Sequence, residues 1–212
     1  MLAFRQPTKG CRKTDDMRVL VVGATGTIGS AVVAALTPRH DVIAASHRRA
    51  SLHVDLADSA SIAQLLQAVG QVDAIVSAAG VARFAPLAQL TDDDFALSLR
   101  NKLMGQVNLV RIGVTHLTDQ GSFTLTSGYL GRYPSVGSPA VSLVNAGLEG
   151  FVRAAALELP RGIRVNVVSP PWVAETLKAR GRDPGPGTAA AVVAQAYVRS
   201  VEGSETGAVL DP

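Results

Sequence analysis

The sequence predicts one α/β domain built on a doubly wound parallel sheet, with helices on both faces and therefore three layers. Short apolar runs alternate with helical stretches along the chain, the order typical of a parallel sheet with crossover helices. Each run is apolar throughout, as expected for strands buried on both faces. Ala, Val and Gly dominate while aromatic residues make up 4%, which favours close-packed helices over a β-sandwich. The 212 residues suit a single domain.

Four strands and two helices are predicted in the first half of the chain. The strands are Arg18–Val22, Asp41–Ala45, Leu52–Val54 and Val72–Val76, and the helices are Thr27–Leu36 and Ser59–Val69. Ser59 is the expected N-cap of the second helix, and Gly70 is its expected end. The stretch between the second and third strands is too short for a helix, so the crossover helix usual at that place is expected to be missing.

The second half continues the same alternation. Thr91 is the expected N-cap of a long helix that runs to about His116, since three aspartates in its first turn complement the helix dipole. A further helix begins at Ser138-Pro139, a cap followed by proline, and ends at Leu159-Pro160. The remaining strands are Gly121–Thr126, Ile163–Val168 and Ala208–Leu210, and a Gly/Pro-rich loop covers Arg180–Gly187.

Composition argues against several classes of partner. The net charge is only +3, and four basic residues lie in the polar segment 1–16, which we expect to be a disordered tail before a domain at 17–212. No basic surface for nucleic acid is therefore indicated. The only cysteine, Cys11, allows no disulfide, and the scattered histidines suggest no metal site. Without a membrane-length apolar run or a signal peptide, we expect a cytoplasmic protein.

A glycine-rich turn links the first strand to the first helix. It reads Gly23-Ala24-Thr25-Gly26-Thr27-Ile28-Gly29. Glycines at such a turn let the backbone approach a pyrophosphate, whose charge then lies at the helix N-terminus. The alternative is a turn required only for tight packing of helix on strand. The position between a buried strand and an Ala/Val-rich helix favours phosphate binding.

With this turn, the chain resembles the short-chain dehydrogenase/reductase family, and the resemblance extends from Arg18 to Leu210. The glycine spacing is a shortened form of the family's pattern. The resemblance implies a Rossmann-type fold in which the turn holds a dinucleotide and the backbone near the last motif meets the nicotinamide. The matching segments are Asp55-Leu56, where the family contacts adenine, Ser77-Ala78-Ala79-Gly80, Ser127, and Arg164–Pro171, with Pro170, Trp172 and Val173 on the nicotinamide side.

The residues after the second strand indicate which dinucleotide binds. A carboxylate there would favour NAD, whereas arginines would hold the 2′-phosphate of NADP. The sequence has Ser46-His47-Arg48-Arg49, with no acidic residue before Asp55. We therefore expect NADP(H). The alternative is a solvated basic loop without a ligand.

The catalytic positions of the family are altered here. The resemblance places the family's Tyr and Lys at Val141 and Asn145, and its helical Asn at Lys102, so Lys and Asn are exchanged between two helices. Such sequences resemble an atypical subgroup that lacks the Tyr-x-x-x-Lys site. Ser127 is unchanged: it stands at the position of the family's substrate-binding serine. Either hydride chemistry is lost, or Lys102 supplies the cation and Tyr129 or Tyr133 supplies the hydroxyl, with Tyr133 the better candidate.

The leading functional hypothesis is an NADP(H)-binding oxidoreductase acting on a small carbonyl or alcohol substrate. The alternatives are a catalytically silent NADP(H)-binding sensor or regulatory protein, and a non-redox enzyme that retains the cofactor. Trp172 either forms a pocket wall or covers the sheet edge. The resemblance implies that the short segment Val173–Gly187 occupies the place of the family's substrate lid, and that Glu175 and Thr176 lie near the nicotinamide. The resemblance implies a homodimer or homotetramer.

Overall fold

The computed structural model describes residues 16–212, which form one seven-stranded, fully parallel sheet in the order β3-β2-β1-β4-β5-β6-β7. The chain winds outward from β1 to β3, then returns to β4 on the other side of β1, so the two winding directions meet between β1 and β4. Ligands bind at the carboxyl ends of the strands at such a switch point. The strands are β1 Arg18–Val22, β2 Asp41–Ser46, β3 Leu52–His53, β4 Val72–Ser77, β5 Leu117–Thr126, β6 Arg164–Val168 and β7 Val209–Leu210.

Helices cover both faces of the sheet and complete the three predicted layers. They are α1 Thr27–Leu36, α2 Ser59–Val69, α3 Asp92–Ser98, α4 Gly105–Gly113, α5 Pro139–Ala155, α6 Ala174–Ala179 and α7 Ala190–Glu202. Successive side chains of β1 alternate between two apolar cores. Leu20 and Val22 pack with residues of α2, α4 and α5, whereas Val19 and Val21 pack with residues of α1 and α7. The doubly wound α/β prediction is confirmed, and the predicted tail lies outside the described residues except for Asp16.

The predicted long helix after Thr91 is present but is not uniform. Thr91 caps α3 through a reciprocal capping box with Asp94, as that sequence pattern predicts. Between α3 and α4 the helix widens into a π-helical segment, Leu99–Met104. A 3₁₀ turn at Val114–His116 then leads into β5. The π-helical segment contains Lys102, and such bulges occur frequently at functional sites.

Several element boundaries differ from the prediction. The N-cap of α2 is Asp58, whose carboxylate accepts the backbone N–H of Ala60, so Ser59 is the first helical residue. Strand β5 begins at Leu117, before the predicted Gly121, because the polar residues at its start mask the strand pattern. The absence of a helix between β2 and β3 is confirmed in the described chain.

Helix α7 was not predicted, and side chains from outside the helix hold both of its ends. No side chain of α7's own N-cap, Ala189, caps it; the carboxylate of Glu175 accepts the N–H of Ala190 at 2.9 and 3.1 Å instead. At the other end the buried guanidinium of Arg164 donates to the carbonyl groups of Ser200 and Val201. The signals that begin and end this helix are therefore tertiary contacts. Among residues 16–212, no helix is long and apolar enough to cross a membrane.

Candidate functional site

The glycine turn after β1 has the geometry that a bound phosphate requires. Gly23 has φ +86°, and a Cβ there would lie 2.8 Å from the carbonyl oxygen of Ala78. A Cβ on Gly29 would lie 1.9 Å from the carbonyl oxygen of Gly23, so both positions exclude any side chain. Gly26 is the N-cap of α1 and provides no side-chain cap. The first N–H groups of α1 are thus available to an anion.

A groove of about 590 Å³ runs from this turn across the carboxyl ends of the strands. Its walls bring together most of the sequence-predicted cofactor residues. Predicted residues in the lining are Gly23, Thr25, Gly26, Ser46, His47, Arg48, Arg49, Asp55, Leu56, Ala78, Ala79 and Gly80; residues that the sequence did not indicate are Val22, Val54, Ala57, Val81, Leu97 and Asn101.

One predicted residue, Ser77, lies outside the lining of the groove. Ser77 is fully buried at the end of β4, and its carbonyl oxygen accepts the hydroxyl of Thr126 at 2.5 Å. Ser77 is absent from the groove wall, and its predicted part in cofactor binding stays a prediction. Asn101, by contrast, accepts the backbone N–H of Val81 at 2.7 Å and thereby fixes the segment after Gly80.

The basic loop after β2 lies at one end of the groove. The buried hydroxyl of Ser46 accepts the backbone N–H of Arg49 at 3.1 Å, which turns the loop toward the groove. The rings of His47 and His53 lie 5.2 Å apart between their centroids. The side chains of Arg48 and Arg49 are exposed, and no carboxylate of residues 16–212 forms an ion pair with them. Two uncompensated guanidinium groups at this place suit a phosphate dianion.

A smaller cavity of about 280 Å³ lies at the other end, over β5 and β6. Ile28, in the first turn of α1, lies in its wall and so joins the glycine turn to this cavity. The other residues of its wall are Lys102, Thr126, Ser127, Gly128, Tyr129, Leu130, Val141, Asn145, Pro170, Pro171, Trp172, Val173, Thr176 and Arg180.

Lys102 is the half-buried cation of this cavity. Its ammonium group donates to the carbonyl oxygen of Ser127 at 3.0 Å, and its aliphatic stem lies against Gly80. Burial lowers the pKa of Lys102 from 10.5 to about 8, because removal from water disfavours the charged form. At neutral pH the group therefore remains mostly protonated but is a stronger acid than an ordinary lysine.

Asn145 and Val141 occupy one turn of α5 beside the cavity. Asn145 is 2% exposed, and its amide Nδ2 donates to the carbonyl oxygen of Gly128 at 3.2 Å. Its Oδ1 is buried without a partner among the described residues. An unpaired buried acceptor is costly unless a ligand supplies the donor. Val141 contributes only an apolar surface.

Ser127 lies in the cavity wall, as the sequence predicts, and its two polar groups have different partners. Its side chain is 2% exposed, and its hydroxyl lies 3.2 Å from Oε1 of Glu149 and 3.4 Å from the carbonyl oxygen of Val168. Arg132 pairs with the same buried carboxylate at 3.5 Å. The hydroxyl of Ser127 thus has partners in Glu149 and Val168, while its carbonyl oxygen accepts the ammonium of Lys102. The sequence identified the residue but could not show which of its groups faces the cavity.

The two loop tyrosines, Tyr129 and Tyr133, lie at different places relative to the cavity. Tyr129 lies in the cavity wall, whereas Tyr133 is 55% exposed and lies outside that wall. Their rings stack with centroids 4.3 Å apart, so Tyr133 covers Tyr129 from the solvent side. The cavity wall therefore includes Tyr129 and not Tyr133, and the catalytic role expected for Tyr133 stays a prediction.

The segment after β6 forms the outer wall. Trp172 lies in the cavity wall with its ring edge against Phe84, at 5.9 Å between centroids. Thr176 and Arg180 follow it on α6 and at the end of that helix. Glu175 points to the N-terminus of α7 and is absent from the described wall, so its predicted place near the nicotinamide is corrected. Among residues 16–212, no group of His, Cys, Asp and Glu could hold a metal ion.

A buried hydroxyl pair supports the cavity from below. The hydroxyl groups of Thr126 and Tyr197 lie 2.6 Å apart, and burial raises the pKa of Tyr197, which keeps its phenol neutral. Gln106 bonds both the N–H and the carbonyl oxygen of Thr126. These contacts fix the end of β5, and they were missed because no sequence motif marks them.

Known proteins share this arrangement. A family model described as Enoyl-(Acyl carrier protein) reductase matches residues 24–210. An oxidoreductase of Schizosaccharomyces pombe, itself named as uncharacterized, is 30% identical over 172 residues, which cover 72% of this chain and 65% of that protein. The chain therefore spans less than two thirds of that relative's own length.

Solved structures agree over nearly the whole chain. The protein lin1944 from Listeria innocua superposes with a TM-score of 0.88 at 41% identity, over 92% of this chain and 98% of that one. A small-chain dehydrogenase solved in complex with NADPH superposes with a TM-score of 0.81 at 26% identity, over 93% and 97% of the two chains. The family match, the parallel sheet and the glycine turn agree: the chain belongs to the short-chain dehydrogenase/reductase family of oxidoreductases.

Proposed function

We propose that this chain binds NADP(H) along the groove and reduces a small carbonyl compound, or oxidises the corresponding alcohol, in the inner cavity. The observation that carries the proposal is the continuity of the site. The uncapped N-terminus of α1 lies beside a groove lined by Arg48 and Arg49. The wall of that groove adjoins the Lys102 cavity, because Lys102 lies against Gly80 and Ile28 of the first turn of α1 lines the cavity. A relative solved with NADPH supports the choice of dinucleotide.

The residues of the site fit a dinucleotide in three places. The N–H groups of the glycine turn suit the pyrophosphate, since a Cβ at Gly23 or Gly29 would fill the space. Arg48 and Arg49 suit a 2′-phosphate. The unpaired Oδ1 of Asn145 suits a hydroxyl group on the nicotinamide side.

Lys102 is the candidate proton donor of the reaction. When bound, the reduced cofactor supplies a hydride to the carbonyl carbon. The protonated Nζ of Lys102 donates its proton to the carbonyl oxygen, which leaves an alcohol and a neutral amine, and the amine regains a proton from water. A donor of pKa about 8 is well matched to this step near neutral pH. Tyr129, in the same wall, is the second candidate donor.

A catalytically silent NADP(H)-binding protein is the second candidate function. The observation that favours it is Val141, which presents an apolar side chain to the cavity at the position of the family's tyrosine. In that case Lys102 and Asn145 hold the ligand, and occupancy of the groove is what the protein reports to a partner.

The two candidates are separated by measuring NADPH oxidation with a panel of small aldehydes and ketones. The proposal predicts turnover by the wild-type protein, a loss of at least about a hundredfold in Lys102→Met, a typical range for one acid–base group, and no change in Lys178→Met. Lys178 is an exposed lysine of α6 outside the cavity wall. NADPH binding without turnover of any compound would support the silent protein, and turnover unaffected in Lys102→Met would reject the proton donor.

A further inference from the structure

The ionised groups that face the inner cavity all carry the same sign of charge. Among the residues 16–212 that form its wall, these groups are Lys102 and Arg180, and none of the wall residues has a carboxylate. The nearby acidic residues point elsewhere: Glu175 binds the N–H of Ala190, and Glu149 accepts the hydroxyl of Ser127 from behind the wall. The cavity is therefore a cationic pocket in a chain whose net charge is only +3.

Arg180 provides the charge at the mouth of this pocket. It follows α6 as its C-cap, is exposed, and makes no ion pair within residues 16–212. The guanidinium of Arg182 lies 5.3 Å from the centroid of the Trp172 ring, which adds a second cation at the same rim. A lone guanidinium presents a planar pair of N–H groups that matches one carboxylate.

The two cations differ in what they can do. The ammonium of Lys102 lies inside, at 3.0 Å from the carbonyl oxygen of Ser127, where the proposed reaction needs a proton. Arg180 presents a guanidinium with its N–H donors in a fixed plane at the exposed side of the wall. Its charge can instead bind an anionic group of the substrate. The same wall also has apolar side chains, among them Leu130, Val141 and Pro171.

From this arrangement we infer that the substrate is a small carbonyl compound that carries a carboxylate, with its carbonyl group at Lys102 and its carboxylate at Arg180. The cavity volume of about 280 Å³ restricts the carbon skeleton to a few atoms beside the nicotinamide. This inference rests on the proposed function, because it names the substrate class of the same site. A phosphorylated carbonyl compound is the competing anion, which the experiment includes.

The test compares charged substrates with their neutral counterparts in the NADPH-loaded protein. The pairs are 2-oxobutanoate and its methyl ester, 4-oxopentanoate and its methyl ester, and glycerone phosphate and glycerone. We expect kcat/KM to favour an acid over its ester by about tenfold to a hundredfold, the range for one charge-assisted hydrogen bond. Arg180→Gln should lower kcat/KM for the acid to about the value for its ester, whereas Lys178→Gln, on the same helix, should retain the preference.

A binding measurement separates this inference from the proposed function. Trp172 is the only tryptophan, and it lies in the cavity wall, so its fluorescence reports occupancy. Oxamate, a carboxylate that resembles a small 2-oxo acid, is titrated against its neutral ethyl ester, with and without NADPH. Binding of oxamate that weakens in Arg180→Gln supports the inference even if no compound is turned over. A protein that fails to take NADPH but binds oxamate in this way would reject only the proposed function.

Three results would overturn the inference. Equal kcat/KM for acids and esters, together with equal binding of oxamate and its ester, would show that the cavity does not select charge. A preference for acids that persists in Arg180→Gln would remove the assigned residue. Faster reduction of glycerone phosphate than of every carboxylate, lost in Arg180→Gln, would assign the pocket to phosphates instead.

Discussion

The ammonium nitrogen of Lys102 and the carbonyl oxygen of Ser127 lie 3.0 Å apart, across the gap between the π-helical segment and the end of β5. The bond holds a cation at the inner end of the cavity, where burial lowers its pKa to about 8. One neutral acceptor does not replace the water that the ammonium loses. The site therefore retains a charge that costs stability, as functional sites often do.

The pH dependence of turnover should follow the protonation of Lys102. Reduction needs the ammonium form, so kcat/KM for the carbonyl compound should be constant below the pKa and should fall as the pH rises through about 8. Oxidation of the alcohol needs the neutral amine and should rise through the same range. Lys102→Arg, which stays protonated, should shift the fall out of that range; profiles that are identical in wild type and Lys102→Arg would contradict the assignment.

Replacing Lys102 should stabilise the cofactor-free protein at neutral pH. The pKa of Lys102 is about 8 in the folded chain, lower than its ordinary value of 10.5. Below pH 8 the ammonium is charged in both states, and its burial makes the folded state less stable. Allowing for the lost hydrogen bond to Ser127, Lys102→Met should raise the free energy of unfolding by about 2 kcal/mol at pH 7. Urea denaturation measures the change.

The pH dependence of the stability gained in Lys102→Met provides the control for this prediction. Between pH 8 and 10.5 the unfolded chain binds more protons than the folded one, so the wild type gains stability as the pH rises. The advantage of Lys102→Met should therefore be fully present below pH 8 and disappear toward pH 10.5. A variant that is destabilised at pH 7, or one whose advantage does not depend on pH, would show that the buried charge is not the cause.

A methyl group at Gly29 should abolish cofactor binding. Its Cβ would lie 1.9 Å from the carbonyl oxygen of Gly23, so either the turn or the start of α1 must move. We expect Gly29→Ala to lose about 1–3 kcal/mol of stability, as overpacked sites do, and to lose NADPH binding by calorimetry. Gly150→Ala is the matched control, since its Cβ meets nothing within 4 Å on helix α5 and should be neutral or slightly stabilising. Normal NADPH affinity in Gly29→Ala would disprove the role of the turn.

The outer wall of the cavity should depend on Glu175. Its carboxylate caps α7 from α6, the helix that carries Thr176. Glu175→Ala should cost about 1 kcal/mol in thermal or urea unfolding, the usual value of a helix cap, and should raise KM for the carbonyl substrate several-fold. Glu175→Gln keeps one acceptor oxygen and should lose less of both. Equal stability of the Ala variant and the wild type would mean that the cap is not needed.

The fold could be predicted from the sequence because its signals are local. Buried parallel strands are continuous apolar runs, and Thr91 and Ser138 mark helix starts with capping residues in sequence. Helix α7 could not be predicted, since its cap is Glu175, a residue of another helix. The start of β5 was also missed, because polar residues precede its apolar run.

The cofactor side of the site was more predictable than the catalytic side. The backbone that binds a phosphate needs glycines at fixed positions, and Gly23 and Gly29 show the reason in their close approach. Side-chain direction has no such signature. The hydroxyl of Ser127 bonds Glu149, and Tyr133 is exposed outside the cavity wall; contacts distant in sequence decide both positions.

Calorimetric titration with NADPH and with NADH tests the central claim most directly. We predict that the wild-type protein binds NADPH at least about tenfold more tightly than NADH, as expected when charge-assisted bonds to the 2′-phosphate are lost. Arg48→Gln with Arg49→Gln should remove that difference and leave NADH affinity unchanged. Binding of neither dinucleotide, or equal affinity for both in the wild type, would contradict the account.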